Sequence, residues 1–367
     1  MSQHLTGTHV PELPGLLTSS QLAETAQSIA DQQQGNGMIL WSTGGHCDPW
    51  NHVEAAMALG TCGRYEEMER AYDWLAETQL GDGSWFNYYL AHSVKDPRLD
   101  TNVVAYVAAG IWHAFLLTSD ESALERRFPM VERAINFVLR FQQPDGSISW
   151  SLDQRGVREN YALLTGSSSI YHSLRCAVAI AERLERSNPR WELSAGRLGH
   201  AVAHHAQSFA PKYEFAMDWY YPMLSGALEG ERARERMDAM WDTFVMPGKG
   251  VRCVSTEDWV TGAETAECVM ALDAVGRQEK ALELLSWTLP HRQSDGSYLT
   301  GLVYPDRLTY PGGEATTYTA GAIILAADAL SSTTPAAGLF RGETLGEALD
   351  LAGVACDVAQ SDGCTGG

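Results

Sequence analysis

The sequence predicts an all-α protein, an (α/α)6 toroid of six inner and six outer helices. Three observations lead there. Charged and apolar helices alternate along the chain, a loop of recurrent composition closes several of the charged ones, and a stretch of 32 residues recurs at a constant offset. The loop is clearest at Trp74-Leu-Ala-Glu-Thr-Gln79-Leu-Gly-Asp82-Gly83-Ser84-Trp85. It returns at Phe137…Gln142-Gln-Pro-Asp145-Gly146-Ser147…Trp150 and at Trp287…Gln293-Ser-Asp295-Gly296-Ser297-Tyr298, with an earlier variant at Gln34-Gly35-Asn36-Gly37…Trp41. Loops repeated every ~40–70 residues mark one supersecondary unit stacked many times.

Taken in order, residues 1–17 hold Pro11 and Pro14 and no sustained period, and read as an extended lead-in. A helix starts after Thr18-Ser19-Ser20, where a hydroxyl can cap it, and runs to about Gln34. A second begins at Asp48-Pro49, proline suiting the first helical position, and ends at Gly60 or Gly63. The next covers 64–80. Asp100-Thr-Asn102 opens a small-residue helix to about 117, and 121–142 is helical with a break expected near Pro129. Thr165-Gly166 starts a helix to Arg186, followed by 190–208, 221–229, 231–244, 260–275, 277–289 and 314–330. Segments 86–99, 151–163 and 299–313 read as long loops or short hairpins. Residues 18–330 thus form a single domain, and 331–367 a peripheral or partly disordered tail.

The helices at 19–34, 64–80, 121–142, 190–208, 231–244 and 277–289 are amphipathic and belong on the outside. Those at 49–60, 101–117, 168–186, 221–229, 260–275 and 314–330 are rich in Ala, Gly, Met, Val and Ile and read as buried nearly all round. Residues 54–85 align with 267–298 without a gap at an offset of 213, and 11 of the 32 positions are identical, Glu54, Trp74, Asp82, Gly83 and Ser84 among them.

Of the 367 residues 45% are hydrophobic, ample for one large core, and the net charge is −20 with no Lys or Arg before Arg64. That balance argues against a secretory or transit peptide and against nucleic acid as a partner. No apolar run approaches the ~20 residues of a membrane span. The seven cysteines are scattered without a Cys-x-x-Cys pair, as expected of reduced thiols in a cytoplasmic protein. Metal-ligand spacing and glycine-rich phosphate loops are absent, so no metal and no cofactor are expected, and the partner is a small-molecule substrate.

The Gln-x-x-Asp-Gly-Ser-Trp loops resemble the QW repeats of the superfamily holding squalene–hopene-type terpenoid cyclases and protein prenyltransferase β-subunits. Over the whole chain, segments such as Asp48-Pro-Trp-Asn-His52, Leu164-Thr-Gly-Ser-Ser-Ser-Ile-Tyr171-His, Asp218-Trp-Tyr-Tyr-Pro and Trp259-Val-Thr-Gly-Ala-Glu264 resemble an actinobacterial group labelled "prenyltransferase". The resemblance implies the toroid and a terpenoid cyclase-like or prenyltransferase-like activity. Two departures accompany it. The Asp-x-Asp-Asp acid of class II cyclases is missing, and Gly313-Glu314-Ala-Thr-Thr-Tyr318-Thr offers no His or Cys for the zinc of the β-subunits.

Inner helices of a toroid run parallel, so their N-termini, each carrying about +0.5 of an elementary charge, share one mouth. Polar and aromatic residues cluster at those starts. Asp48 with His52 four residues on, Asp218, Glu264 and Glu314 are the candidate catalytic groups. Trp50, Asn102, Ser168, Tyr171, His172, Trp219, Tyr220, Trp259 and Tyr318 are the candidate substrate-binding ones. Asp100 and Asp258 stand where N-caps stand. Glu54 and Glu267 are equivalent in the internal repeat and serve the unit. Glu264 instead occupies the repeat position of Asn51, so a shared scaffold carries different side chains there. Acid–base chemistry on an isoprenoid-type substrate is the first expectation, with aromatic rings shielding a cation. The alternatives are a glycan-active enzyme, hydrolase or epimerase, using two of the carboxylates, or a non-catalytic binding toroid.

Overall fold

The computed structural model of the chain describes residues 10–349 and 351. The outer ring is α1 (Ser19–Ala30), α3 (Tyr65–Thr78), α6 (Glu121–Val138), α8 (Pro189–His204), α10 (Gly230–Phe244) and α12 (Gln278–Ser286). The inner ring is α2 (Pro49–Thr61), the consecutive α4 (Thr101–Ala105) and α5 (Val107–Thr118), α7 (Leu164–Arg183), α9 (Ala216–Leu224), α11 (Gly262–Ala274) and α13 (Thr317–Ser331). Inner and outer helices alternate, and α13 packs on both α11 and α2, so the last inner helix closes the ring onto the first. The fold is the (α/α)6 toroid. Composition explains the layers: all of α2 except Asn51 is buried, whereas α10 buries only Ala233, Met237 and Phe244.

The recurrent loops hold this ring together. After α3, Gln79 Nε2 donates to Met130 O of the next outer helix, α6 (2.9 Å), and to Gly83 O in its own loop (3.0 Å). Gly83 lies at φ +97°, and a Cβ there would stand 2.3 Å from Arg133 O of α6, so only glycine lets the loop seat. Trp85 closes the turn, its indole donating to Leu75 O at 2.9 Å. The loops after α1 and α6 repeat this with Gln33 to Glu67 O (2.8 Å) and Gln142 to Ser194 O (2.9 Å). The loop after α12 seats on α1 instead: Gly296 (φ +86°) lies against Glu24, and Arg292 pairs with the Glu24 carboxylate (2.5 Å). The bridging residues are therefore Gln33 and Arg292, one position before the expected Gln34 and Gln293. The isolated bridges Gln33↔Ile39 and Arg292↔Tyr298 set which side chain turns outward.

Several elements depart from expectation. Helix α6 passes through Pro129 unbroken, held by buried Phe128, Met130 and Val131 around it. Helix α9 starts at Ala216, so Asp218 lies in its first turn. Asp258 caps nothing. It is exposed, pairs with Arg252 (3.1 Å) and precedes β7 (Trp259–Thr261), while α11 begins only at Gly262.

The expected loop 86–99 holds a hairpin of β1 (Tyr88–Leu90) with β2 (Ser93–Asp96), whereas β3 (Leu99–Asp100) pairs with β4 (Ser151–Leu152) and so ties it to the loop at 151–163. A five-stranded antiparallel sheet, unforeseen from the sequence, runs β5 (Val245–Met246), β6 (Gly250–Arg252), β7, β8 (Gly301–Val303) and β9 (Leu308–Thr309). Strands of two or three residues are too short to show alternation.

Residues 332–349 are not peripheral. They cross the end of the barrel opposite the mouth: Phe340 stacks on His172 of α7 (5.2 Å), Arg341 pairs with Asp273 of α11 (2.6 Å), and Trp112 of α5 donates to Thr344 Oγ1 (3.3 Å). The apolar run that buries here, Ala336, Ala337 and Leu339, is too brief to announce itself. The expected lead-in at 1–9 and tail at 352–367 lie outside the described residues. Thr101–Thr118 has the length and hydropathy of a membrane span, but 78% of it is buried inside the ring.

Candidate functional site

The mouth is built from the residues that open the inner helices. Asp48 is the N-cap of α2, its Oδ1 accepting from Asn51 N at 2.9 Å and its other oxygen from the Asn51 side-chain amide. Burial pushes its carboxyl up to about 6 against those hydrogen bonds, and the negative charge of Asp100 adds to the rise. Asp100 caps α4 through Asn102 N (2.8 Å) and Val103 N (3.2 Å) and accepts from the Trp150 indole; burial raises it as well. Beside it the side-chain oxygen of Asn102 and the hydroxyl of Ser167 are buried without a protein partner.

Aromatic rings line the same opening. Trp50 stacks on Tyr106 (4.4 Å between centroids) and meets Tyr318 edge-on (5.6 Å). Tyr318 also touches Trp41 (5.7 Å), which stacks on His46, and His46 meets Tyr88 edge-on at 4.4 Å. Glu314 is held at the edge of this wall, accepting from the Trp41 indole (3.1 Å), Thr300 Oγ1 (3.1 Å) and Ser42 Oγ (3.4 Å). Glu264 is buried in the first turn of α11, on the far side of α13 from α2. The Cys253 thiol beside it is driven up by burial and then by the Glu264 charge.

A second tier of acids lies deeper on the same two helices. Glu54 of α2 accepts from Tyr106 OH (2.6 Å), and Glu267 of α11 from Tyr221 OH (2.6 Å) and Tyr220 OH. Burial raises Glu54 to about 7 and Glu267 to about 8, the latter helped by the facing charge of Glu54. A small cavity between them is lined also by Ser169, His172 and Phe340.

Of the residues singled out in the sequence, Asp48, Trp50, Asn102, Glu264, Glu314 and Tyr318 converge on the mouth. Trp259 stands at its rim against Tyr310 (5.2 Å). Tyr220 and His172 belong to the tier below. The others point elsewhere. His52 makes no side-chain bond to Asp48: Nδ1 accepts from Ile39 N (3.1 Å), Nε2 donates to Ala71 O (2.8 Å), and burial lowers the ring to about 4. Four residues of helix place His52 one turn inward, facing the outer layer. Ser168 bonds back to Leu164 O (2.8 Å), and Tyr171 packs its ring on Gly199 of α8 with its hydroxyl on Arg175 (2.9 Å).

Asp218 and Trp219 open onto a lateral cleft with Arg236 and Phe244. Asp218 accepts from Thr165 Oγ1 (2.6 Å), and Trp219 stacks on Phe244 (5.4 Å). Sequence reasoning overlooked Trp41, His46, Tyr88 and Tyr106. Trp41 and His46 lie in the loop before α2, Tyr88 opens β1, and Tyr106 sits at the joint between α4 and α5.

No family model matches the chain. In fold it resembles a glycosidase solved with glucose (TM-score 0.65, 14% identity, 86% of this chain and 97% of that one). A D-mannose isomerase (0.63, 11%, 83% and 95%) and an α-amylase from Clostridium perfringens (0.63, 10%, 84% and 97%) are similar to it as well. These likenesses define the class as an α/α toroid of the type seen in those sugar enzymes, and at such identities they speak for the fold alone. In sequence the chain is 50% identical over 341 residues, 93% of its own length and 94% of the relative's, to the MMP endo-(1,4)-3-O-methyl-α-D-mannosidase of Mycolicibacterium hassiacum. The chain belongs to the family of that mannosidase.

This overturns the terpenoid cyclase and prenyltransferase resemblance and the isoprenoid expectation built on it. The physical reason is visible in the loops that carried the resemblance. They bond to neighbouring outer helices, and a part that only closes a ring places no constraint on the chemistry at its centre.

Proposed function

We propose that this protein is an endo-acting glycoside hydrolase that cuts α-1,4-linked mannosyl chains bearing 3-O-methyl groups. The observation that carries the reading is the 50% identity, over nearly the full length of both chains, to a mannosidase of that description. The mouth supplies parts such a reaction needs. Asp48, its carboxyl raised to about 6, is the proton donor to the departing glycosidic oxygen. Glu264, on another inner helix, is the second carboxylate, acting on water or on the anomeric carbon. The bond from anomeric carbon to bridging oxygen breaks, the oxygen takes the Asp48 proton, and water supplies the new hydroxyl and restores the proton. Trp50, Tyr318 and Trp41 offer ring faces to the sugar and to the positive charge that develops on it. Glu314, fixed by three side-chain donors, orients sugar hydroxyls.

Cys47, Cys62, Cys176, Cys253 and Cys268 are unpaired, which supports a reducing, cytoplasmic setting. The test is to incubate the purified protein with 3-O-methylated α-1,4-mannan and follow new reducing ends by mass spectrometry. Internal cleavage by the native protein, lost in Asp48→Asn and Glu264→Gln, is expected. An intact polymer under conditions where the Mycolicibacterium enzyme cuts it would refute the assignment.

A further inference from the structure

A groove runs outward from the mouth at Glu314. It lies between the end of α1 (Ser28, Asp31, Gln32), the loop at Ser42–Thr43, the seat of the last clasp (Asp295, Ser297) and the segment Gly312–Thr317. Its open space is about 490 Å³, within the ~300–1,000 Å³ of ordinary ligand sites. The lining is hydroxyls, an amide and carboxylates, with no aromatic or large aliphatic side chain. Its floor is rigid: Thr317 bonds Leu40 O through its hydroxyl (2.9 Å) and Trp41 O through its backbone N–H (2.9 Å). Glu314 belongs both to this groove and, through Trp41, to the aromatic wall, so the two spaces share a border.

We infer that this groove is a distal saccharide-binding arm that holds sugars of the polymer beyond those at the scissile bond, joined to the mouth through Glu314. The inference rests on the endo-mannosidase reading. An enzyme that cuts inside a chain must receive sugars on both sides of the break, and a stacking site alone leaves the hydroxyls of the further sugars in water. A polar lining exchanges those water hydrogen bonds for protein ones, while an acidic lining on a chain of net charge −20 disfavours phosphorylated or nucleic ligands.

The test uses 3-O-methylated α-1,4-mannosides of graded length with three proteins: native, the double variant Asp31→Ala/Gln32→Ala, and Thr43→Trp, which narrows the groove. None of the substituted residues contributes to the reaction. In the native protein kcat/KM should climb with chain length. In both variants it should fall about tenfold on the longest chains, the equivalent of two lost sugar hydrogen bonds, and stay within about twofold on the shortest chain cut. An equal fall at every length, or none on the longest chains, would overturn the inference. If the native protein cuts none of the series, the mannosidase reading fails first. Calorimetric binding of the longest chain then decides the groove: weaker binding in the variants supports it, equal binding removes it.

Discussion

Helix α2 with its N-cap and the first half of α11 each place one buried acid near the mouth and one deeper, and the two tiers have different partners. The deep pair, Glu54 and Glu267, coincide under the offset of 213 and both accept from tyrosine hydroxyls, Glu54 from one and Glu267 from two. At the mouth the repeat breaks: Glu264 falls opposite Asn51, and Asp48 opposite Thr261. Burial raises Asp48, Glu54 and Glu267 alike, so a shifted carboxyl does not by itself mark the reacting one. What separates the tiers is the company each acid keeps. Where the repeat is preserved, the carboxylate's side-chain partners are phenols. Where it is broken, Asp48 caps its own helix through Asn51 and Glu264 lies in the first turn of α11. On the proposed function, the acids that keep the symmetry belong to the scaffold and those that break it to the reaction.

The sharpest way to break this comparison is substitution across the tiers. Asp48→Asn or Glu264→Gln should lower kcat by about 10²–10⁴-fold with little change in thermal midpoint. Glu54→Gln and Glu267→Gln should keep at least about a tenth of the activity, and equal losses in both tiers would erase the distinction. Next in size is His52→Phe, which leaves Ile39 N–H and Ala71 O unbonded and should cost about 2–4 kcal/mol in urea unfolding. Its pH–rate profile should keep the native limb, since the lowered His52 ring holds no proton there to donate.

The profile itself is the third check. If Asp48 must be protonated, kcat/KM falls above about pH 6, approaching tenfold per unit. A limb well away from pH 6 would assign the proton to another group. The smallest effect concerns the deep tier. Folded Glu54 and Glu267 keep their protons to about pH 7 and about pH 8, whereas unfolded glutamates release theirs near ~4.3. Between those values the unfolded chain binds fewer protons, so stability is greatest on the acid side and declines as pH rises toward 8. Glu267→Gln, which mimics the protonated form, should flatten that decline by a few degrees in thermal midpoint, measured by scanning calorimetry.

The sequence disclosed the toroid well because its signals are long. Twelve alternating helices, one nearly seamless internal repeat and turn-forming Asp-Gly pairs each span many residues and agree with one another. The five short strands and the plug at 332–349 rest on runs of two to four residues, below what periodicity can register. Expected helix starts led to Asp48, Glu264 and Glu314 because a helix terminus is itself a sequence feature, although α13 begins at Thr317 and leaves Glu314 in the preceding loop. Spacing could not say which way a side chain turns. Asp48 and His52 stand at the right interval for contact, yet the ring of His52 points to Ala71 in the outer layer. Asp218 likewise stands near an inner-helix start but opens to the side, because α9 begins five residues earlier than its apolar pattern suggests. The substrate class was equally hidden. The loop motif that seemed to name a chemistry reports only how the ring is joined.

The joint between the last clasp and the first helix has a consequence for how the protein is made. Arg292 must meet Glu24, and Gly296 must seat beside it, across a sequence separation of 268 residues for the ion pair. Nearest-neighbour clasps such as Gln79 to Met130, 51 residues apart, can form while synthesis continues. The seam can form only when almost the entire chain has been released. Without that seam the loop after α12 lacks its seat on α1. A contact of such long range carries a higher loop-closure cost than the nearest-neighbour contacts do, so the seam is the slow step that the topology imposes on the ring.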